Sequence, residues 1–402
     1  MNTLSRVERG GRRARLLAPL YHRILDRIDA GLVEGAIEAV LPDGTRRLLG
    51  GRGEGPLAIV RVHRWRALRR LVLGGSIGWY EGWSAGDWSS PDEVPIFDLF
   101  MRNRASLGGV ARAGGPWRLL GRVRHALRRN DRDGARRNIA AHYDLGNDFY
   151  QAWLDPTLTY SSALFDSPEE PLEIAQRRKL SAILTRTAAQ PGDHVLEIGC
   201  GWGSFATTAA AAGVRVDALT LSAEQQRVVT SRALPGVDVR LLDYRDVPGN
   251  YDGVASIEMV EAVGERYWPA YLDAIVRALK PGGRAALQFI AIAEDVFDAY
   301  ARGADFIQRY VFPGGMLLSQ KRFRALAEAR GLRWTDQHSF GLDYAETLRR
   351  WRDCFEEAAV QGRLPAQFDA SFIALWRYYL MYCEGGFRGG GIDVAQVTLV
   401  RD

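Results

Sequence analysis

The stretch Val195-Leu196-Glu197-Ile198-Gly199-Cys200-Gly201-Trp202-Gly203-Ser204-Phe205 limits what this chain can fold into more than any other. It reads as a buried strand, a glycine turn and the start of a helix. Glycines at 199, 201 and 203 strip side chains from the turn, so that backbone can lie against a ligand and a positive φ costs little. Glu197 places an acid at the strand end. Such a turn is suited to a nucleoside cofactor. Its G-x-G-x-G spacing differs from the G-x-G-x-x-G of dinucleotide folds and offers no obvious phosphate cradle.

A strand-and-helix rhythm surrounds the turn. Helical spacing is expected over Pro171 to Thr187, Ala223 to Ala233 and Trp268 to Leu279. Strands are expected over Val214 to Leu221, Val237 to Leu242, Tyr251 to Ile257 and Arg284 to Ile292, the last after Lys280-Pro281-Gly282-Gly283. This alternation predicts a parallel, doubly wound α/β sheet, covered on both faces and binding ligands at the carboxyl ends of its strands. At 402 residues the chain has room for more than this one domain. Residues 1–110 read as a small α+β domain. Its strands are expected at Ala36 to Leu41, Arg46 to Leu49 and Leu57 to Val62, and its helices over Trp65 to Leu73 and Val94 to Ser106. Residues 111–138 read as a basic linker helix, and 139–402 as the catalytic domain with helical insertions.

Charge is unevenly placed. Residues 111–138 hold nine arginines against two aspartates, a net of +7 in a chain whose total is +5. Arginine forks match phosphate, and their stems can lie on apolar surface while the heads stay wet. Anionic membrane head groups or nucleic acid would suit this charge, and a solvated face is the plainer reading. Residues 4–30 carry seven arginines against three acids. Leu16, Leu17, Leu20, Ile24 and Ile28 follow helical spacing there, so this segment packs on its own domain or touches a membrane surface. No apolar run reaches 18 residues, so no transmembrane helix is expected. No apolar core follows the N-terminal arginines, so no secretory signal is expected. Three cysteines (Cys200, Cys354, Cys383) without a CxxC pair favour a reducing cytosol over a disulfide framework, and no metal site is expected.

The glycine turn with the Leu279-to-Gly283 turn and its strand resembles class I S-adenosylmethionine-dependent methyltransferases. A narrower resemblance rests on further motifs: His142-Tyr143-Asp144-Leu145-Gly146-Asn147, Thr159-Tyr160-Ser161, Leu219-Thr220-Leu221-Ser222 with Gln225, and Glu258-Met259-Val260-Glu261. To these are added Tyr310-Val311-Phe312-Pro313-Gly314-Gly315, Gly341-Leu342-Asp343-Tyr344 and the aromatic run from Tyr378 to Arg388. Together they are similar to the cyclopropane-fatty-acyl-phospholipid synthase family over about residues 138–402. The N-terminal part resembles the accessory domain of the bacterial enzymes more loosely.

That resemblance implies S-adenosylmethionine as cofactor. Tyr160, Ser161, Gly199 and Gly201 would surround its methionine part, with Glu197 and Gly203 completing the turn. Thr220 and Gln225 would bind near the ribose, and Tyr244 near adenine. It also implies that an alkene takes the sulfonium methyl, and that a bicarbonate held by cysteine, glutamate, histidine and tyrosine removes the proton for ring closure. In those positions this chain carries Ser162, Glu261, Gln288 and Tyr344, and Ala262 stands where many members have histidine. Two of the four ligands differ, which counts against bicarbonate and favours a methyl-branched over a cyclopropane product. Cys383 is expected to be a small buried hydrophobe, and its aromatic neighbours to be core or acyl-tunnel wall.

The expectation is an enzyme at the inner membrane face that transfers a one-carbon group to the double bond of a phospholipid acyl chain, with no nucleic-acid partner. A homodimer is compatible with this. The alternatives are a methyltransferase of a small non-lipid substrate and a non-catalytic lipid- or nucleic-acid-binding protein.

Overall fold

The computed structural model describes residues 12–108 and 145–402. The basic segment and the His142-Tyr143-Asp144 part of the first motif lie outside the described residues. Cα packing divides the chain into two units, Met1–Gly121 and Arg122–Asp402.

In the first unit, β1 (Ala36–Val40), β2 (Arg46–Gly50), β3 (Leu57–Val62) and β4 (Trp88–Ser89) form a sheet in the order β2-β1-β3-β4. β1 and β3 are parallel and the other pairs antiparallel. Ala58, Val60 and Val62 alternate inward along β3. Helix Arg12–Gly31 buries Tyr21, Leu25 and Ile28, while Leu20 is exposed, so its inward face is rotated from the expected one. The helix expected to end at Leu73 runs from Arg66 to Ser84 with a kink at Gly75, because a positive φ there lets the glycine-rich stretch resume as helix.

The second unit is built on a seven-stranded sheet. Its strands are β5 (His194–Ile198), β6 (Arg215–Thr220), β7 (Val237–Leu241), β8 (Tyr251–Ile257), β9 (Leu279–Ile292), β10 (Leu332–Ser339) and β11 (Ile392–Arg401). The order is β10-β11-β9-β8-β5-β6-β7. The five consecutive strands predicted from sequence, β5 to β9, pair in parallel. The sheet is nevertheless mixed, because β11 runs antiparallel to both β9 and β10. Helix Leu172–Thr187 packs on β9, β8 and β11.

Strand alternation sorts the core into two layers. Val195, Val216, Ala218, Ala255 and Ala286 belong to one cluster with Leu180, Ile183 and Phe205. Leu196, Leu219, Val254, Leu287 and Phe289 belong to the other, with Trp268, Tyr271 and Phe323. Small residues dominate the first layer, which lets its helices approach the strands closely. Among the described residues no helix is long and apolar enough to cross a membrane.

Candidate active site

β5 lies between β6 and β8, parallel to both, so a cavity opens where its carboxyl end turns away from the sheet. The turn there holds Gly199, Gly201 and Gly203 at φ of 84°, 51° and 80°. A Cβ on Gly203 would lie 2.7 Å from Val229 Cγ1, so this glycine permits helix packing. A Cβ on Gly201 would meet no protein atom within 4 Å, and Gly201 lines the cavity.

The cavity, about 180 Å³, is also lined by Tyr160, Ser161, Glu197, Gly199, Thr220, Gln225 and Tyr244. Every predicted cofactor residue except Gly203 therefore faces one space. Thr220 Oγ1 donates to Gln225 Oε1 at 2.8 Å, which leaves the amide nitrogen as the open end of Gln225. Gln225 Nε2 and Glu197 Oε2 are buried atoms without a hydrogen-bond partner. A buried donor and a buried acceptor left open in one cavity require a polar ligand to complete them. Hydroxyl groups for Gln225 and an ammonium for Glu197 meet that requirement, and the ring of Tyr160 suits a sulfonium. The residues present thus fit S-adenosylmethionine.

A carboxylate cluster adjoins this space. Glu258 follows directly on β8 with a φ of 49°, an uncommon conformation for a non-glycine residue, and it lines the cavity. Its Oε1 accepts from Ser162 N at 2.9 Å and from Gln288 Nε2 at 2.8 Å. Its Oε2 accepts from Tyr344 Oη at 2.7 Å. Ser162, Gln288 and Tyr344 therefore come together as predicted, but around Glu258. Glu261, expected as the carboxylate among them, points elsewhere: its Oε1 accepts from Ile290 N at 2.5 Å, and its Oε2 is buried without a partner. The left-handed turn at Glu258 aims that side chain into the cluster, and Glu261 falls on the next, 3₁₀ turn. Ser162 contributes through its backbone N–H, because its hydroxyl donates to the Ala163 carbonyl.

Enclosure sets the electrostatics. Desolvation raises the pKa of Glu258, opposed first by Lys179. Desolvation and the nearby charge of Glu258 push Glu261 up to about 8. Burial raises Glu197 well above the usual carboxylate range. The countercharge is Lys179, fully buried on the inward face of helix Leu172–Thr187. Its Nζ donates to Ser161 Oγ at 2.5 Å. Burial lowers it to about 8, against the pull of Glu258, Asp155 and Glu197. Sequence reasoning assigned no role to Lys179 or Glu258. The available signals were a lysine at a core position of an apolar helix face and a second glutamate three residues before the one chosen.

Aromatic side chains border the cluster. Tyr160 Oη and Tyr379 Oη are 2.9 Å apart, and the Phe387 ring lies 4.5 Å from that of Tyr344. Helix Ala370–Arg388 supplies Tyr379 and Phe387. Cys383 on the same helix is half-buried rather than fully buried, and desolvation raises its thiol pKa.

The family model for mycolic acid cyclopropane synthetase matches residues 130–397. The tuberculostearic acid methyltransferase of Mycobacterium tuberculosis is 39% identical over 410 residues, spanning 96% of this chain and 92% of that protein. The cyclopropane-fatty-acyl-phospholipid synthase of Escherichia coli is 32% identical over 349 residues, spanning 86% of this chain and 88% of the relative. A mycolic acid cyclopropane synthase crystallised with SAH and CTAB superposes with a TM-score of 0.62 at 31% identity, covering 66% of this chain and 98% of its own. With the cofactor cavity, these likenesses establish that the chain belongs to the mycolic acid cyclopropane synthetase family and is an S-adenosylmethionine-dependent methyltransferase.

Proposed function

We propose that this enzyme methylates the double bond of an unsaturated acyl chain in a membrane phospholipid and releases a branched chain that keeps one double bond. S-Adenosylmethionine supplies an electrophilic methyl group. The alkene π pair forms the new C–CH3 bond as the S–CH3 bond breaks with its electrons on sulfur, leaving a cation on the neighbouring carbon. A proton must then leave. Loss from a chain carbon gives a methyl-branched alkene. Loss from the methyl group after a 1,2-hydride shift gives a methylene branch. Neither needs a reductant, and neither forms a ring.

The observation that carries this reading is the engagement of Glu258. The donors from Ser162, Gln288 and Tyr344, at positions which by resemblance would hold a bicarbonate, are already spent on a side-chain carboxylate. Bicarbonate does not fit that arrangement. Glu258 is the proton acceptor proposed here, because it lines the cofactor cavity and Lys179 favours its ionised form. The cyclopropane reading would require Glu258 to leave the cluster.

The basic segment 111–138 and the lipid activities of the relatives support a membrane lipid as substrate. Anionic vesicles of mono-unsaturated phospholipid, incubated with protein and S-adenosylmethionine, test it. Lipid mass spectrometry should find one added carbon on intact phospholipid, with the rate falling as salt rises through several Debye lengths of screening. Transfer to free fatty acid or a small amine, with none to phospholipid, would contradict the reading.

A further inference from the structure

A chain of hydrogen bonds runs inward to Glu258 from the end of helix Leu172–Thr187. Arg186, in the last turn of that helix, donates through Nε to Gln396 Oε1 at 3.1 Å, and its Nη1 meets Asp336 Oδ2 at 2.6 Å. Gln396 Nε2 donates to Gln288 Oε1 at 3.0 Å, and more weakly to the Lys179 carbonyl at 3.5 Å. Gln288 Nε2 donates to Glu258 Oε1, and also reaches the Ser162 carbonyl at 3.3 Å. The two glutamines face each other directly across the β9–β11 pair, and their relative exposures are 1% and 0%.

An amide offers an acceptor and a donor and can be reversed, whereas guanidinium only donates. Arg186 therefore fixes Gln396 with its oxygen outward. Gln396 then fixes Gln288 with its oxygen toward β11 and its NH2 toward Glu258. The two longer bonds to backbone carbonyls act in the same sense. Reversing either amide would place oxygen against oxygen or donor against donor in a site without solvent, leaving buried groups unsatisfied.

Resting on the reading of Glu258 as proton acceptor, we infer that Arg186 and Gln396 are positioning residues: they form the outer half of a one-way relay that keeps the donor end of the Gln288 amide against Glu258. An N–H on a carboxylate favours the charged form, and a carbonyl oxygen there would demand a proton. The other groups that face Glu258 are Lys179 from helix Leu172–Thr187, Tyr344 from helix Gly341–Val360 and Glu261 beyond β8. None lies on β11, so an uncharged substitution at 396 reaches Glu258 through Gln288, whereas a charged one also acts on it directly through the low-dielectric interior.

Gln396→Glu gives the test. A glutamate paired with Arg186 is ionised and accepts at both ends, so Gln288 must turn its NH2 toward β11 and its carbonyl toward Glu258. The acid limb of the kcat–pH profile should move up by about one pH unit or more, while S-adenosylmethionine affinity stays within about two-fold. Arg186→Met, at the outer end of the relay, should shift the limb in the same direction, and Arg186→Lys should restore most of it. A second readout needs no substrate. In protein labelled at glutamate Cδ, the Glu258 carbon resonance, assigned by its loss in Glu258→Gln, should titrate at higher pH in Gln396→Glu and Arg186→Met. Wild-type profiles and wild-type Glu258 titration in both variants would overturn the relay, as would titration shifts of equal size when the same two changes are made in a Gln288→Leu background, where only the direct charge effect remains. Absence of phospholipid turnover in the wild-type enzyme would instead overturn the substrate reading, with the titration still reporting on the relay.

Discussion

Glu258 and Glu261 are separated by two residues and do different things. Both oxygens of Glu258 are hydrogen-bonded, Oε2 by one donor only, and it lines the cofactor cavity, whereas Glu261 keeps one sealed oxygen with nothing to bond. A proton acceptor typically contributes 10²–10⁴-fold, so Glu258→Gln should lower kcat by about that factor with little change in cofactor affinity. Glu261→Gln should cost kcat less than about ten-fold, because a glutamine oxygen still accepts from Ile290 N. Its signature is in stability. The folded-state pKa of Glu261 is raised from 4.5 to about 8, so the native state binds the extra proton. That contribution is complete below pH 4.5 and is lost as pH rises to about 8. The unfolding free energy of Glu261→Gln, read from melts at each pH, should therefore gain on the wild type across that interval, by an amount on the order of a few kcal/mol at its upper end. A gain that shrinks with rising pH, or a kcat loss equal to that of Glu258→Gln, would reverse the two assignments.

At the scale of elements, the site is made by strand ends. β5, β6 and β8 each deliver a turn to the same cavity, and two glycines in the first turn serve different ends. Gly203→Ala should destabilise the fold by about 1–3 kcal/mol, since it combines a left-handed backbone with a contact on Val229. Gly201→Ala bears the backbone term alone, and its methyl group enters the ligand space. It should raise the S-adenosylmethionine dissociation constant at least ten-fold with a smaller fall in thermal midpoint, measured by calorimetry and thermal melts; the opposite pattern would move the cofactor away from this turn. The parallel strands and this turn were legible in the sequence because each is a short apolar run followed by glycine, proline or a polar cap. β10 was not: six of the eight residues of Leu332–Ser339 are polar, and it pairs at the sheet edge. β11 follows an aromatic helix, and nothing local announces that it returns antiparallel between β9 and β10. Most of the residues predicted to hold the cofactor line one cavity, as they sit in the strand-end turns. The identity of the cluster carboxylate was not legible, because the backbone turn at residue 258 decides which glutamate points inward, and both fit the same motif.

Across the whole molecule, charge and chemistry fall in separate places. The arginine-rich segment 111–138 precedes in sequence the residues of a cluster that holds one buried lysine beside several enclosed carboxyl groups. A basic segment suits phosphate, at about 1 kcal/mol per arginine near an anionic surface. An interior with excess carboxyl character suits a passing cation, and it supplies the base from the chain itself. The most direct check of that claim is turnover of unsaturated phospholipid vesicles in carbon-dioxide-free buffer, with and without added bicarbonate, followed by mild hydrogenation of the product acyl chains. The expected result is a rate indifferent to bicarbonate and an acyl chain with one added branch carbon that takes up hydrogen. A rate that depends on bicarbonate, with a saturated ring that resists hydrogenation, would contradict it.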